Sequence, residues 1–151
     1  MSNSQHGFTR GRSCLTNLLE TFEAWTRIVE EGYGIGVIFL DFRKAFDSVS
    51  HVKLLQKLRS YGIDEKLVVW IQDYLTNRET AVRVNAKLSS WAAVLSGVPQ
   101  GSVLGPLLFL LFVNELPTWT INSIKMFADD TKIWCKIIPE DDFLSLQENL
   151  N

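Results

Sequence analysis

Met126-Phe127-Ala128-Asp129-Asp130-Thr131 sets two adjacent acids between stretches, Ile124 to Phe127 and Thr131 to Trp134, that read as paired strands of a hairpin. Taken alone, adjacent aspartates at such a place are more often a solvated turn than a reactive pair, because Asp bonds its own backbone in turns. A third acid changes the balance. Asp41 ends the run Gly36-Val37-Ile38-Phe39-Leu40, which is short and almost continuously apolar. That pattern predicts a strand buried on both faces, with Asp41 at its open end. Between the two lies Ser96-Gly97-Val98-Pro99-Gln100-Gly101-Ser102-Val103-Leu104-Gly105-Pro106, a loop rich in turn residues that leads into an apolar run.

Working outward, Leu15, Leu18, Leu19, Phe22, Trp25, Ile28 and Val29 recur at spacings of three and four. An amphipathic helix is predicted from Ser13 to about Glu31, ending before Gly32, with its apolar face on the sheet. Ser50 caps a helix carrying Leu54, Leu55 and Leu58 that Gly62 stops, and Asp64 caps the next, carrying Leu67, Val68, Ile71, Tyr74 and Leu75. Lys53 and Lys57, one turn apart on the first of these, read as a solvated face. Thr80 to Val84 and Trp91 to Leu95 read as two strands joined by the polar turn Asn85 to Ser90. Leu107 to Val113 is apolar on every side and predicts a buried helix with Pro106 in its first turn. Phe143 to Leu150 reads as the start of a further helix, over 140–151.

The chain of 151 residues is 46% hydrophobic, enough to bury one sizeable core. Its formal net charge of -2 gives no overall basic field that would announce a nucleic acid. Cys14 and Cys135 are isolated, without a CxxC or a nearby His, so neither zinc nor a disulfide framework is indicated and a reducing compartment is the natural reading. No N-terminal apolar signal is visible, and the Leu107 to Val113 run is far short of the roughly 20 residues a spanning helix needs. An intracellular protein without a membrane partner is expected.

Magnesium suits the acid pattern. It takes oxygen ligands at about 2.0–2.1 Å and usually keeps only one or two protein carboxylates, so aspartates on neighbouring strand ends are fitting donors. Three such acids close together repel one another without a cation.

In this order, the segments around Asp41, Gln100 and Asp129 resemble the A, B and C motifs of a reverse transcriptase. Gln5-His6-Gly7-Phe8-Thr9-Arg10-Gly11-Arg12-Ser13, Leu40-Asp41-Phe42-Arg43-Lys44-Ala45-Phe46-Asp47, Gly97-Val98-Pro99-Gln100-Gly101-Ser102 and Phe127-Ala128-Asp129-Asp130 are together similar to the LINE-type enzymes of non-long-terminal-repeat retrotransposons. Phenylalanine before Ala-Asp-Asp is common in that branch. The similarity runs from Gln5 to about Lys136. It implies an α/β (α+β) polymerase palm, an antiparallel sheet with packed helices, joined to part of the fingers and lacking the thumb. One partial domain over 1–151 is expected, with the palm at about 33–51 and 97–138 and fingers-side and helical elements at about 1–32 and 52–96.

The resemblance also implies roles. Asp41 and Asp129 hold two Mg2+ ions, with Mn2+ as the alternative metal, Asp130 supports them, and the backbone carbonyl of Phe42 joins the metal that carries the triphosphate. Phe46 lies beneath the incoming sugar and excludes a 2'-hydroxyl; the bland alternative is an ordinary core aromatic. Gln100 and Gly101 meet the incoming nucleotide or template base, in a loop whose glycines allow close approach. Phe127 lies against the primer end or simply packs. Arg10 and Arg12 touch template or nucleotide, or form a solvated basic loop. Asp47 makes a structural hydrogen bond.

A dehalogenase-like phosphotransferase would need a second acid two residues after Asp41, where Arg43 stands. An intron maturase shares the three acids, and a non-catalytic remnant or co-opted binding fragment remains a further alternative. The expectation is therefore metal-dependent addition of dNTPs to a DNA primer on an RNA template, in the nucleus or cytoplasm, with protein partners undefined. The upstream triphosphate contacts and the thumb are expected to be missing, so the isolated chain should have little activity.

Overall fold

The computed structural model describes residues 1–137, and the helix expected over 140–151 lies outside them. The elements in chain order are α1 (Cys14–Glu30), β1 (Gly34–Leu40), α2 (His51–Ser60), α3 (Glu65–Leu75), β2 (Glu79–Thr80), β3 (Arg83–Val84), β4 (Lys87–Leu88), β5 (Ala92–Ala93), α4 (Leu104–Val113), a 3-10 turn (Leu116–Trp119), β6 (Ser123–Phe127) and β7 (Asp130–Ile137). This is a mixed α/β fold whose sheets are antiparallel. It divides into two units, one formed by Met1–Phe42 with the chain from Val113 onward, the other by Arg43–Phe112.

In the first unit β7 is the centre of a three-stranded sheet ordered β1-β7-β6. The β1–β7 ladder runs from Gly34 opposite Ile137 to Leu40 opposite Thr131. Ile124, Met126 and Ile133 form a buried cluster, with Leu40 and Leu116 packed on it. The other unit-one strand contact comes from the N-terminal segment. Gln5 makes a parallel bridge to Met126, with the His6 amide donating to the Met126 carbonyl at 2.9 Å and the Met126 amide to the Ser4 carbonyl at 2.8 Å.

β1 is not buried on both faces, contrary to the expectation from its apolar run. β1 is an edge strand of the described sheet, and Phe39 is 72% exposed. An apolar run does not distinguish a central strand from an edge strand that a helix covers on one side.

α1 begins and ends as its sequence predicts. Ser13 and Thr16 make a reciprocal capping box, and Gly32 at φ +83 closes the C-terminus, its amide donating to the Val29 carbonyl at 2.9 Å. Its orientation is a second correction. Leu15, Leu18, Leu19, Phe22 and Val29 are exposed, whereas Asn17 and Thr21 are buried. The Asn17 amide donates to the Met126 carbonyl at 3.0 Å, and the Thr21 hydroxyl to the Asn17 carbonyl at 2.7 Å. Further along, Trp25 meets Trp134 edge to face at 6.1 Å. Directional bonds to β6 and this aromatic contact, rather than the leucine stripe, select the inward face.

In the second unit, α2 and α3 bury Leu54, Leu55, Leu58, Val68, Ile71 and Leu75. Ser50 and Asp64 cap them as expected, accepting from the Lys53 and Lys66 amides, and Gly62 takes φ +74 after α2. Lys57 is not on a solvated face. Its ammonium donates to the Phe112 carbonyl at 2.6 Å, and the hydroxyl of Tyr61, the residue after α2, to the Leu111 carbonyl at 3.3 Å, so α2 and its C-cap supply donors to the C-terminal carbonyls of α4. α4 buries Leu108, Phe109 and Leu110 but leaves Leu107 exposed, so it is covered on one side rather than all round.

The single hairpin expected over 80–95 is instead two short ladders. β2 pairs with β5, and β3 with β4 across a tight turn at Asn85-Ala86, both of which have positive φ. That combination is the mark of a two-residue I′ turn, and Ala in the second place hides it from composition-based reading.

Leu58 has no exposed surface, while Val103 is 96% exposed. Leu58→Ala is expected to lower unfolding free energy by about 2–5 kcal/mol and Val103→Ala by less than about 0.5 kcal/mol, measured by urea denaturation. Equal losses would contradict the packing described.

Candidate active site

Strand register carries Asp41 to the β6–β7 turn. Leu40 is opposite Thr131 and Phe127 is opposite Asp130, so Asp41, one residue beyond β1, reaches the end of the sheet where Asp130 begins β7. Asp129 lies in the two-residue turn Ala128-Asp129. Alternation along the strands sets Phe39, Asp41, Asp130 and Lys132 on one face. Asp41, Phe127 and Asp130 line one open cleft of about 280 Å3, together with Phe39, Lys132 and residues of α1.

Asp129 is not among the residues lining this cleft. It is half-buried, and its carbonyl accepts from the buried Thr131 hydroxyl at 3.1 Å. Phe42 follows Asp41 and is 38% exposed. Ala128 has φ +57, in the left-handed region that an alanine rarely adopts, at a cost of about 1–2 kcal/mol. Among the described residues no three His, Cys, Asp or Glu side chains form a ready-made metal cage.

Cys14, Asn17 and Lys132 line the cleft without belonging to any motif in the sequence. Cys14 opens α1 and Lys132 lies on β7, and both line the cleft beside Asp41 and Asp130. Partial burial pulls the Lys132 ammonium below its usual pKa, against the opposing influence of Cys14. Only the β7 register reveals that a lysine two residues after Asp130 shares its face.

Phe46, Gln100 and Gly101 belong to the second unit. The Phe46 ring stacks on Phe109, with centroids 4.2 Å apart and planes 22° from parallel. Gln100 is exposed, and its amide donates to Asp47 Oδ1 at 2.9 Å. Asp47 therefore makes the structural hydrogen bond expected of it. The loop is tied to the same turn by the Ser96 hydroxyl, which donates to the Asp47 carbonyl at 2.8 Å, and by Val98, whose amide donates to the Phe46 carbonyl at 2.9 Å. Gly97 is required there: at φ +91, a Cβ would stand 2.7 Å from Asp47 Cα. Gly101 also has positive φ, +79, and is open to solvent.

Arg10 is exposed. Arg12 is turned inward, where one guanidinium nitrogen donates to the Asn3 carbonyl and lies 3.1 Å from His6 Nε2. That contact requires Nε2 to accept, so Nδ1 carries the proton and donates to the Thr16 hydroxyl at 2.9 Å. Burial holds the His6 pKa below its usual value; Glu20 opposes this, while Arg12 and Lys125 reinforce it. No helix among the described residues is long and apolar enough to cross a membrane.

The family model described as reverse transcriptase (RNA-dependent DNA polymerase) matches residues 1–151. The chain is 33% identical over 131 residues to the probable RNA-directed DNA polymerase from transposon X-element of Drosophila melanogaster, covering 83% of this chain and 14% of that protein. It is 35% identical over 121 residues to the retrovirus-related Pol polyprotein from type-1 retrotransposable element R2 of Popillia japonica, covering 78% and 20%. It is 37% identical over 112 residues to the RNA-directed DNA polymerase from mobile element jockey of Drosophila melanogaster, covering 69% and 12%. The chain thus spans 12–20% of the length of these curated relatives.

The buried neutral His6 gives stability a sign with pH. Its folded pKa is lower than the unfolded value of 6.5, so the unfolded chain takes up the proton first. The contribution is complete above that value and is lost as pH falls toward the depressed folded pKa. Urea unfolding between about pH 5 and pH 8 is expected to show stability rising with pH, with His6→Asn flattening that part of the curve. An unchanged slope in the variant would show that other groups carry it.

Proposed function

Because the chain belongs to the reverse transcriptase family, alongside polymerases of non-long-terminal-repeat retrotransposons, we propose that it carries the polymerase centre of an RNA-directed DNA polymerase. The reaction is addition of deoxynucleotides to a DNA primer 3'-end on an RNA template. The observation that carries this reading is the cleft shared by Asp41 and Asp130, with Asp129 in the adjoining turn.

Enzymes of this family generally use a divalent metal ion. The donor set suits Mg2+, with Mn2+ as the alternative: hard carboxylate oxygens, few in number, leaving positions for phosphate and water. When bound, such ions polarise the phosphoryl group and lower the pKa of the attacking hydroxyl. Asp41 and Asp129 are the residues assigned to hold them, Asp130 adds a carboxylate from the cleft wall, and the Phe42 carbonyl adds an oxygen. The chain's own part is then mostly placement, since in-line transfer depends on holding the reactants in alignment.

Phe46, supported on Phe109, is assigned to exclude a ribose 2'-hydroxyl. Gln100, held by Asp47, and Gly101, which offers bare backbone, are assigned to the incoming nucleotide. Phe127 is assigned to the primer end, on the cleft wall it shares with Asp130. Of the two arginines, Arg10 is freer for template phosphate, because Arg12 already serves Asn3 and His6.

The test is primer extension with Mg2+, oligo(dT) and poly(rA), by the complete polypeptide containing this domain. Asp41→Ala and Asp129→Ala are each expected to lower the rate by roughly a hundredfold or more. Wild-type rates in both variants would remove the catalytic assignment and favour a binding role. In the same polypeptide, Phe46→Val should raise ribonucleotide use relative to deoxyribonucleotide by about tenfold or more. Single-nucleotide kinetics with unaltered sugar discrimination would leave Phe46 as packing.

A further inference from the structure

The segment Gln5-His6-Gly7 takes no part in the proposed chemistry, yet Gln5 is only 2% exposed and both ends of its side-chain amide are hydrogen-bonded. Its Oε1 accepts from the Gly7 amide at 2.8 Å and from the Ala128 amide at 2.9 Å, and its Nε2 donates to the Ala128 carbonyl at 3.0 Å. Two backbone donors at one end fix which atom is oxygen. The primary amide thus pairs with both main-chain groups of Ala128, as a neighbouring strand would. Ala128 is itself buried, so without Gln5 its N–H and C=O would lose their partners away from water.

We propose that Gln5 is a positioning residue that holds the Ala128 turn in its left-handed form and thereby fixes Asp129 and Asp130. The assignment rests on the polymerase reading of those acids. Ala128 sits at φ +57, a conformation alanine does not favour, and the two acids follow it directly. Relaxation of that dihedral swings the peptide from which both carboxylates hang, whereas a metal or substrate constellation tolerates displacements of only about 0.5 Å. Gly7 makes the clamp sterically feasible, since a Cβ there would lie 2.2 Å from the Ala128 nitrogen. The clamp is anchored behind the turn by the bonds of Ser4, His6 and Asn17 to Met126.

The experiment uses the full chain, with amide hydrogen exchange read residue by residue by NMR and Mn2+ affinity read from paramagnetic broadening near Asp41 and Asp130. In Gln5→Ala, exchange at Ala128 should accelerate about tenfold or more while the β1 amides facing β7 keep their protection. Mn2+ affinity should fall several-fold, and adding Ala128→Gly should restore much of it, because glycine takes positive φ unaided. If Gln5→Ala does not fold, Gln5→Met, which keeps most of the side-chain volume and loses both bonds to Ala128, gives the same comparison without the cavity. Unchanged exchange at Ala128, a uniform loss of protection across the sheet, or a double variant no better than the single one would overturn the clamp. Absence of Mn2+ broadening in the unsubstituted chain would count against the metal site instead, and the exchange comparison would still decide the role of Gln5.

Discussion

The antiparallel pairing of β1 with β7 is the constraint on which the first unit depends. It joins parts of the chain far apart in sequence, and its register alone decides that Asp41 arrives where the β6–β7 turn begins. A slip of one residue would reverse every side chain of β1. Leu40 would leave the cluster of Ile124, Met126 and Ile133, and Asp41 would leave the face it shares with Asp130. Packing of the apolar face and placement of the acids are therefore one choice rather than two. The Leu40-Asp41 step is the point where both are made.

The two units are specified by different means. In the first, the buried side chains of Gln5, Asn17, Thr21 and Thr131 bond backbone groups and that of His6 bonds Thr16 and Arg12, while the Met126 carbonyl receives both the His6 amide and the Asn17 side chain. In the second, the buried side chains of α2 and α3 are all aliphatic. Directional bonds tolerate little displacement, whereas an aliphatic core keeps its stability through many volume-conserving exchanges. The unit with the stricter bonding carries the acids. Its precision comes from groups that would be costly to bury without partners.

Much of this was legible in the sequence because the signals were local. Gly32, Ser50, Asp64 and Gly62 mark helix ends by chemistry that acts within a turn, and all four function so. The acids at the β6–β7 turn were legible for the same reason. What escaped depended on distant partners. The inward face of α1 is chosen by the Met126 carbonyl, which no periodicity of Leu15 to Val29 encodes. Lys57 looked solvated because its acceptor, the Phe112 carbonyl, lies on another helix. Lys132 and Cys14 entered the cleft through pairing and packing, and neither has a motif.

The sheet's two outer strands are left in unlike states. Along β6 the main-chain groups of Met126 are taken up by Ser4 and His6. β1 has no such cover among the described residues, and it presents Phe39 outward along with its row of unpaired amides and carbonyls. A strand edge left without a pairing partner is a template for strand addition. A charged residue or a proline on that edge, away from the β7 ladder, is the natural means of keeping the domain monomeric at high concentration.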